Sequence, residues 1–402
     1  MTRSSRRAFV AAAGSILSAG CLAAPGRRES GDSETEYPFE GPDPLGFEAV
    51  PNDVADPPSF QGERVYESDV ARGIIDVVDR QSGWTTLVYG RSQDGYETPE
   101  LRELSPNGEV VGSRTLDAVP SNRVWHLEQP GERLVVGGRR EQDDREASWF
   151  RGVDSEFAFD ADWRTVYAGV TVDGDSLLGA GTLWYEGSSG DLGAVCHRIG
   201  PGGSITWEQT DEEAGTDRRF WSVTTTSEGV LAGGSNGGDI WLVSYADGEE
   251  SWRRTITHGK EAYIVRQLTA GPTGTYAVAQ TNQFAQGNNH LMLLSLGAEG
   301  SVEWARVFDP NFEEYTEGPM ELYGGEFVDA GGPVLVGHTG DRVWLAATEP
   351  DGSMRWAGYY PESRGDRIVR SLGLAAADGR LSLYGSTGTH QEETPWLAWF
   401  EP

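Results

Sequence analysis

The sequence predicts an all-β fold: a seven-bladed β-propeller of four-stranded antiparallel blades, its ring closed by an N-terminal strand. Three observations carry this reading. One passage is rewritten seven times: an apolar run ending near glycine, a polar loop, a second apolar run, a turn and often a tryptophan. The cleanest copies are VLAGGSNGGDIWLVSYADGEESW at 230–252 and VLVGHTGDRVWLAATEPDGSMRW at 334–356. Aligned on the end of the second strand, the marker positions are Gly90, Gly138, Gly181, Gly234, Gln280, His338 and Gly385, 43 to 58 residues apart. That is the length of a four-stranded blade, and a unit of this size cannot bury its apolar faces alone. Secondly, glycine supplies 54 of 402 residues, which suits many tight turns, and no long segment has a helical period. Thirdly, the last copy, 367–400, shows only three strands, while QGERVYESDVARGI at 61–74 supplies a spare one. A strand near 64–67 is therefore expected to pair with one near 395–400, leaving no open edge in the ring.

The elements follow in chain order. Residues 1–20 read as a signal peptide. Ser5-Arg6-Arg7-Ala8-Phe9-Val10 resembles the twin-arginine export signal, and an apolar stretch at 8–20 follows it. Leu17-Ser18-Ala19-Gly20-Cys21 resembles a lipobox, with its leucine one place further from the cysteine than the usual bacterial pattern. The expected outcome is export, lipidation of Cys21, and tethering at the extracellular face of the cytoplasmic membrane. Residues 21–59 are rich in Pro, Gly, Asp and Glu, lack periodicity, and are expected to be a disordered acidic tether. Residues 60–402 form the propeller. In the fourth copy the strands are expected at 219–225, 229–235, 239–245 and 250–256, where aromatic and β-branched runs alternate with Gly, Asp and Asn.

Two subpatterns sharpen the repeat. The third strand begins with an aromatic at Trp149, Trp241, Trp344 and Trp396. A turn recurs as GGSITW, DGEESW, EGSVEW and DGSMRW, placing Gly203, Gly248, Gly300 and Gly352 four residues before Trp207, Trp252, Trp304 and Trp356. The glycine makes the hairpin turn, and a recurring indole belongs in the packing between blades. This turn resembles the repeat of pyrroloquinoline-quinone-type propellers, across about residues 60–402. It is more loosely similar to secreted propellers of archaea. The resemblance implies that each tryptophan docks its blade on the next. Quinoprotein dehydrogenases usually have eight blades and a vicinal cysteine pair; this chain has seven copies and no adjacent cysteines. The resemblance therefore implies the fold and no bound quinone, and no cofactor is expected.

Charge defines the setting. The chain holds 63 acidic and 32 basic residues, a net charge of -31. Residues 1–20 contain three arginines and no acid, so the remainder has 29 basic against 63 acidic residues, a balance of -34. Lys260 is the only lysine. This composition resembles that of proteins from salt-loving archaea, where salt screens self-repulsion. It disfavours nucleic acid as a partner. Cys196, in LGAVCHRIG, reads as a small core residue.

Chemistry-bearing patterns are sparse. The histidines never take metal-ligand spacing, and no nucleophile elbow or phosphate loop occurs. The acidic runs at 141–146 and 211–217 lack calcium-loop spacing and read as solvated loops. No metal is expected. The innermost strands carry IVRQL and IVRSL, which puts Arg266 and Arg370 in register, with Trp125 and Trp221 in the same column of other copies. These four residues are the candidate ligand site, offering charge and a flat face to a sugar acid or a peptide carboxylate. The preferred reading is a non-catalytic, monomeric platform for an unidentified ligand or protein. The alternative is an extracellular enzyme, a quinoprotein-type oxidoreductase or polysaccharide-active hydrolase or lyase, with its site at the central channel. A third setting is envelope-protein assembly, as in the outer-membrane assembly propeller with the same repeat.

The charge balance generates a first prediction. The melting temperature should climb steeply from dilute buffer to molar sodium chloride, where the Debye length falls to about 3 Å. A flat profile would remove the high-salt reading.

Overall fold

The computed structural model describes residues 34–36, 45–46, 59–66, 71–80, 83–90, 99–116, 123–142, 145–162, 164–184, 192–211, 217–257, 263–281, 291–309, 321–326, 332–339, 342–360, 368–377, 380–388 and 393–401. The stretch read as an export signal, with Cys21, lies outside them. Seven sheets of four antiparallel strands form a ring, and 78% of the structure is strand. The first strand of every blade touches the first strands of both neighbouring blades, blade 7 meeting blade 1, so the first strands are innermost.

The closure lies where the spare strand was expected. Ser59–Val65 is the outermost strand of blade 7 and runs antiparallel to Glu393–Glu401, with Ser59 opposite Glu401 and Val65 opposite Trp396. It starts five residues before the expected 64. Tyr66 extends the seam: its N–H donates to Pro395 O at 2.9 Å, and its hydroxyl donates to Gly108 O of blade 1 at 2.9 Å. One residue thus links the last blade to the first.

Blade 4 shows the local logic. Its strands are Arg218–Thr226, Gly229–Asn236, Asp239–Ala246 and Glu249–Thr257, each end within one residue of expectation. The third-strand indoles Trp149, Trp241 and Trp396 are fully buried. Core clusters straddle two blades: Leu231, Ile240 and Leu242 of blade 4 pack with Val265, Leu268 and Met292 of blade 5. The two ends of the ring differ. First strands begin at one end, and the three longest connections, 91–99, 282–290 and 310–320, all lie there. Short hairpins such as 227–228, 247–248 and 272–273 close the other. We call these the loop end and the turn end.

The recurring tryptophans pack between blades. Trp207, Trp252 and Trp304, on the fourth strands of blades 3, 4 and 5, lie on Gly248, Gly300 and Gly352 of the next blade. A Cβ at those glycines would sit 2.7, 2.4 and 2.5 Å from the indole. The glycines also hold positive φ, +87°, +69° and +79°, so the turn and the docking both require the absent side chain. Trp207 Nε1 donates to Gly248 O at 2.6 Å, and Trp304 Nε1 to Pro350 O at 3.1 Å.

The closing blade achieves the same contact by transposition. Trp252 pairs with Ser244 in blade 4; the corresponding pair in blade 7 is Gly62 with Trp399. The indole has moved to the third strand, and glycine has taken its place on the fourth. A Cβ on Gly62 would lie 2.8 Å from the Trp399 ring, while that ring comes within 3.0 Å of a Cβ built on Gly108, the turn glycine of blade 1.

The stretch expected to be a tether is not wholly free. Glu34–Glu36 runs parallel to the outer strand of blade 4, and Leu45–Gly46 parallel to Val302–Asp309 of blade 5. An outer strand presents unpaired N–H and C=O groups, and an extended segment of any composition satisfies them. Low hydrophobicity argued only against a core.

The transposed indole is testable. Trp399→Ala should cost about 3 kcal/mol, the range for truncating a large packed aromatic, whereas Trp184→Ala, 43% exposed, should stay within about 0.5 kcal/mol. Chemical denaturation of both variants in the same salt decides. Equal losses would show that Trp399 does not hold the seam.

Candidate functional site

Every innermost strand carries a β-bulge, and the bulges define one level of the ring. The residues skipped at that level are Ile75, Trp125, Ala168, Trp221, Arg266, Tyr323 and Leu372, and blade 1 skips Arg72 as well. They lie near the loop end, where the first strands start. A bulge leaves one residue out of the ladder and re-aims its side chain. Trp125, Trp221 and Arg266 therefore share a level, as expected, and all three are half-buried.

Arg370 does not share it. Arg370 pairs with Ser386, two places before its blade's bulge at Leu372, and its side chain lies outside the described residues. The likeness of IVRQL to IVRSL misled the alignment, because identical letters at a two-residue offset preserve the alternation of faces. The positions equivalent to Arg370 are Arg123, Arg219 and Ile264. Likewise the partners opposite the pre-bulge residues are Val88, Ala279 and Gly337, so Gly90, Gln280 and His338 were set one or two places late.

Two guanidinium–indole pairs meet at this level through the indoles of Trp125 and Trp221. Arg266 lies over Trp221 across the seam between blades 4 and 5, 5.2 Å from the ring centroid, and its Nε donates to buried Gln280 at 3.2 Å. Arg139 lies over Trp125 within blade 2, at 4.1 Å, and is 3.4 Å from Glu146. Such pairs contribute roughly 0.5–2 kcal/mol and hold a planar cation in place. Sequence reading missed Arg139. Its signal was the step from Gly137-Gly138 to Arg139-Arg140, a switch from small to cationic just past the bulge partner.

Among the described residues, several groups of kinds used in catalysis serve the frame. Asp76, directly after the blade 1 bulge, accepts from Leu127 N of blade 2 at 2.7 Å and from the Tyr384 hydroxyl of blade 7 at 3.3 Å. Ser222 holds the same place in blade 4 and accepts from Leu268 N of blade 5 at 2.9 Å. Cys196 is completely buried, and desolvation pushes its thiol far above the ordinary range. The acidic run at 211–217 also begins inside the frame rather than in solvent. Asp211 receives Arg218 at 2.5 Å and Arg253 at 2.9 Å across the seam between blades 3 and 4. Among the described residues no group of three or more His, Cys, Asp or Glu is placed to hold a metal ion.

His197 is buried in blade 3, with Nδ1 at 2.5 Å from the Tyr167 hydroxyl. Burial lowers its pKa to about 4, against an opposing pull from Asp162. Burial also raises Tyr167 well above its ordinary value, so the phenol keeps its proton and donates to Nδ1. The neutral imidazole then carries its proton on Nε2, which lies 3.2 Å from Glu208 yet is not aligned for a hydrogen bond. The contact is therefore not an ion pair near neutral pH.

The chain matches no family model and no curated protein. Solved structures that resemble it include peptidases, a sialidase and Kluyveromyces lactis Hsv2. An acylaminoacyl peptidase bound to a chloromethyl ketone is 10% identical, with a TM-score of 0.47 over 82% of this chain and 51% of that one. The chain thus spans about half the length of that peptidase. The β-propeller domain of the trilobed protease from Pyrococcus furiosus is 9% identical, with a TM-score of 0.48 over 82% and 96% of the two chains. The NanB sialidase from Streptococcus pneumoniae is 9% identical, with a TM-score of 0.38 over 85% and 70%. At these identities the likeness carries nothing about activity.

His197 gives a pH prediction. Its folded pKa lies below its unfolded value of about 6.5, so its contribution is fully present above pH 6.5 and is lost as pH falls toward 4. The loss should be roughly 3 kcal/mol. Urea unfolding between pH 4 and pH 7 should show a steeper decline for the native chain than for His197→Asn. Parallel curves would show that His197 does not drive acid sensitivity.

Proposed function

We propose that this chain is a secreted, lipid-anchored propeller whose loop end binds a carboxylate-bearing ligand, either a sugar acid or a peptide carboxylate, without transforming it. The observation that carries the reading is the Arg266–Trp221 pair, half-buried at the bulge of two innermost strands on the end with the longest connections. A guanidinium gives a planar fork for carboxylate, and an indole gives a flat apolar face beside it. Arg139 and Trp125 repeat that combination at the same level. Supporting the non-catalytic reading, Asp76, Cys196, His197 and Asp211 are all committed to seams or core.

The sequence supplies the setting. Arg6-Arg7 and Cys21 support export and lipidation, and a balance of -34 with a single lysine supports a high-salt habitat. Indoles seated on turn glycines support kinship with the quinoprotein-type repeat.

The test is calorimetric titration in molar sodium chloride with a uronic-acid oligosaccharide and with an acidic peptide, native against Arg266→Gln and Arg139→Gln. One of the two should bind, and each variant should weaken it at least tenfold while the melting temperature holds within about 2 °C. Unchanged binding, or a collapse in stability, would mark the arginines as framework. Cleavage of either probe would overturn the non-catalytic part.

A further inference from the structure

One exposed indole stands apart from the seams. Trp184 ends the second strand of blade 3, Ser176–Trp184, at the loop end. Among the described residues it is the only aromatic side chain more than a third exposed, at 43%. Its backbone is fixed from blade 2. The Trp184 N–H donates to Arg164 O at 3.1 Å, and the Arg164 N–H donates to Glu146 O at 2.8 Å. Glu146 is the residue whose carboxylate lies 3.4 Å from Arg139. Arg164 holds a φ of +95°. A residue with a side chain is strained in that region and persists there only where its surroundings fix it. The chain thus keeps a strained residue between the Arg139–Trp125 pair and an indole open to solvent.

Trp184 also stands over a bare stretch of the ring. The bulge residue of blade 3 is Ala168, which brings neither ring nor charge to the level of Trp125, Trp221 and Arg266. The residues opposite that bulge are Gly181 and Ala180. Trp184 lies three places beyond Gly181, about 10 Å nearer the loop end. Side chains alternate along a strand. Leu178 and Ala180 pack into the core shared with blade 4, so Trp184, in step with them, faces the blade 4 side, where Trp221 lies. Blades 2 to 5 therefore carry, in order, a cation with an indole, a higher indole, and an indole with a cation.

We propose that Trp184 is the rim subsite for an oligosaccharide of uronic acids, one ring stacking on Trp184 while another offers its carboxylate to Arg266 below. The proposal deepens the loop-end binding reading and rests on it. A drop of about 10 Å exceeds a single sugar ring, so a lone sugar acid reaches one level and an oligomer reaches both. A pyranose presents a face of C–H bonds that matches a flat indole, and its carboxylate matches a guanidinium fork. A peptide would instead pair with a strand edge or seat its side chains in pockets. Flat rings and guanidinium groups at two levels suit the sugar chain better. Linked subsites reinforce one another through effective concentration, so weak contacts at each ring suffice. The net charge of -31 repels a polyanion in dilute buffer, and molar salt screens that repulsion beyond about 3 Å while leaving the contacts.

The test compares galacturonic acid, tetragalacturonic acid and tetraglutamate by calorimetric titration of the full chain in molar sodium chloride. The native chain should bind the tetrasaccharide at least tenfold more tightly than the monosaccharide. In Trp184→Ala that ratio should fall to twofold or less, with the melting temperature held, and Trp184→Phe should restore part of it. Arg266→Gln should weaken the tetrasaccharide at least tenfold. A second readout uses the native chain alone: tetragalacturonic acid should slow oxidation of Trp184 by N-bromosuccinimide at least threefold, measured by mass spectrometry. A ratio unchanged in Trp184→Ala, with loss in Arg266→Gln, would overturn the rim subsite and leave the loop-end reading standing. Indifference of the tetrasaccharide to both substitutions, or no binding of it at all with Trp184 oxidised at the same rate, would overturn the subsite together with that reading for sugars. Binding of tetraglutamate alone would overturn the sugar class and keep a carboxylate site.

Discussion

Every feature of this protein depends on the seam between neighbouring blades. A four-stranded blade has two apolar faces and no element of its own to cover them, so its core exists only when another blade lies on each side. The core clusters run across blade boundaries. The seams are made by three devices. Large aliphatic and aromatic side chains fill them, indoles sit on the turn glycines of the next blade, and side chains after the bulges accept backbone N–H groups from it. Asp76 and Ser222, each directly after a bulge, accept the N–H groups of Leu127 and Leu268 on the innermost edge strand of the next blade.

Ring geometry adds a condition that no single seam imposes: the last blade must meet the first as well as any other pair. The chain completes blade 7 from both of its ends, so closure is made by backbone hydrogen bonds rather than by side-chain contact alone. That solution places a strand end where blades 1, 3, 4, 5 and 6 have a glycine turn at Gly108, Gly203, Gly248, Gly300 and Gly352. The exchange of Trp399 and Gly62 between strands keeps the indole at the closing seam despite the altered chain path. The contact is conserved in space while the residue that makes it moves by one strand.

The same frame creates the functional asymmetry. Strands of one blade must alternate in direction, so tight hairpins gather at one end and the remaining connections at the other. Long connections can vary without touching the seams. Bulges near the loop end set Trp125, Trp221 and Arg266 at one level of the innermost strands, and Arg139 reaches Trp125 from the second strand of blade 2. Arg218, by contrast, is buried and paired with Asp211. Two arginines on the first strands of adjacent blades thus sit in different surroundings, one over an indole and one on a carboxylate.

The sequence by itself determined the blade count, the strand bounds of blade 4 within one residue, the closing strand and the place of the tryptophans. Each depends on local signals that repeat: alternation, turn glycines and a fixed spacing to an indole. It also marked Trp125, Trp221 and Arg266 as companions. Only the tertiary structure decided that Arg370 stands two positions away from them, because bulges shift the register without any mark in the letters. Arg139 was hidden for a related reason, since it lies on a second strand and meets Trp125 through folding rather than adjacency. What the described parts of the 21–59 stretch, 34–36 and 45–46, pair with was beyond sequence reading as well. Its composition argued that it could not form a core, which is a statement about side chains, whereas its contacts with blades 4 and 5 are made by backbone on open edges, available to any sequence that arrives there extended.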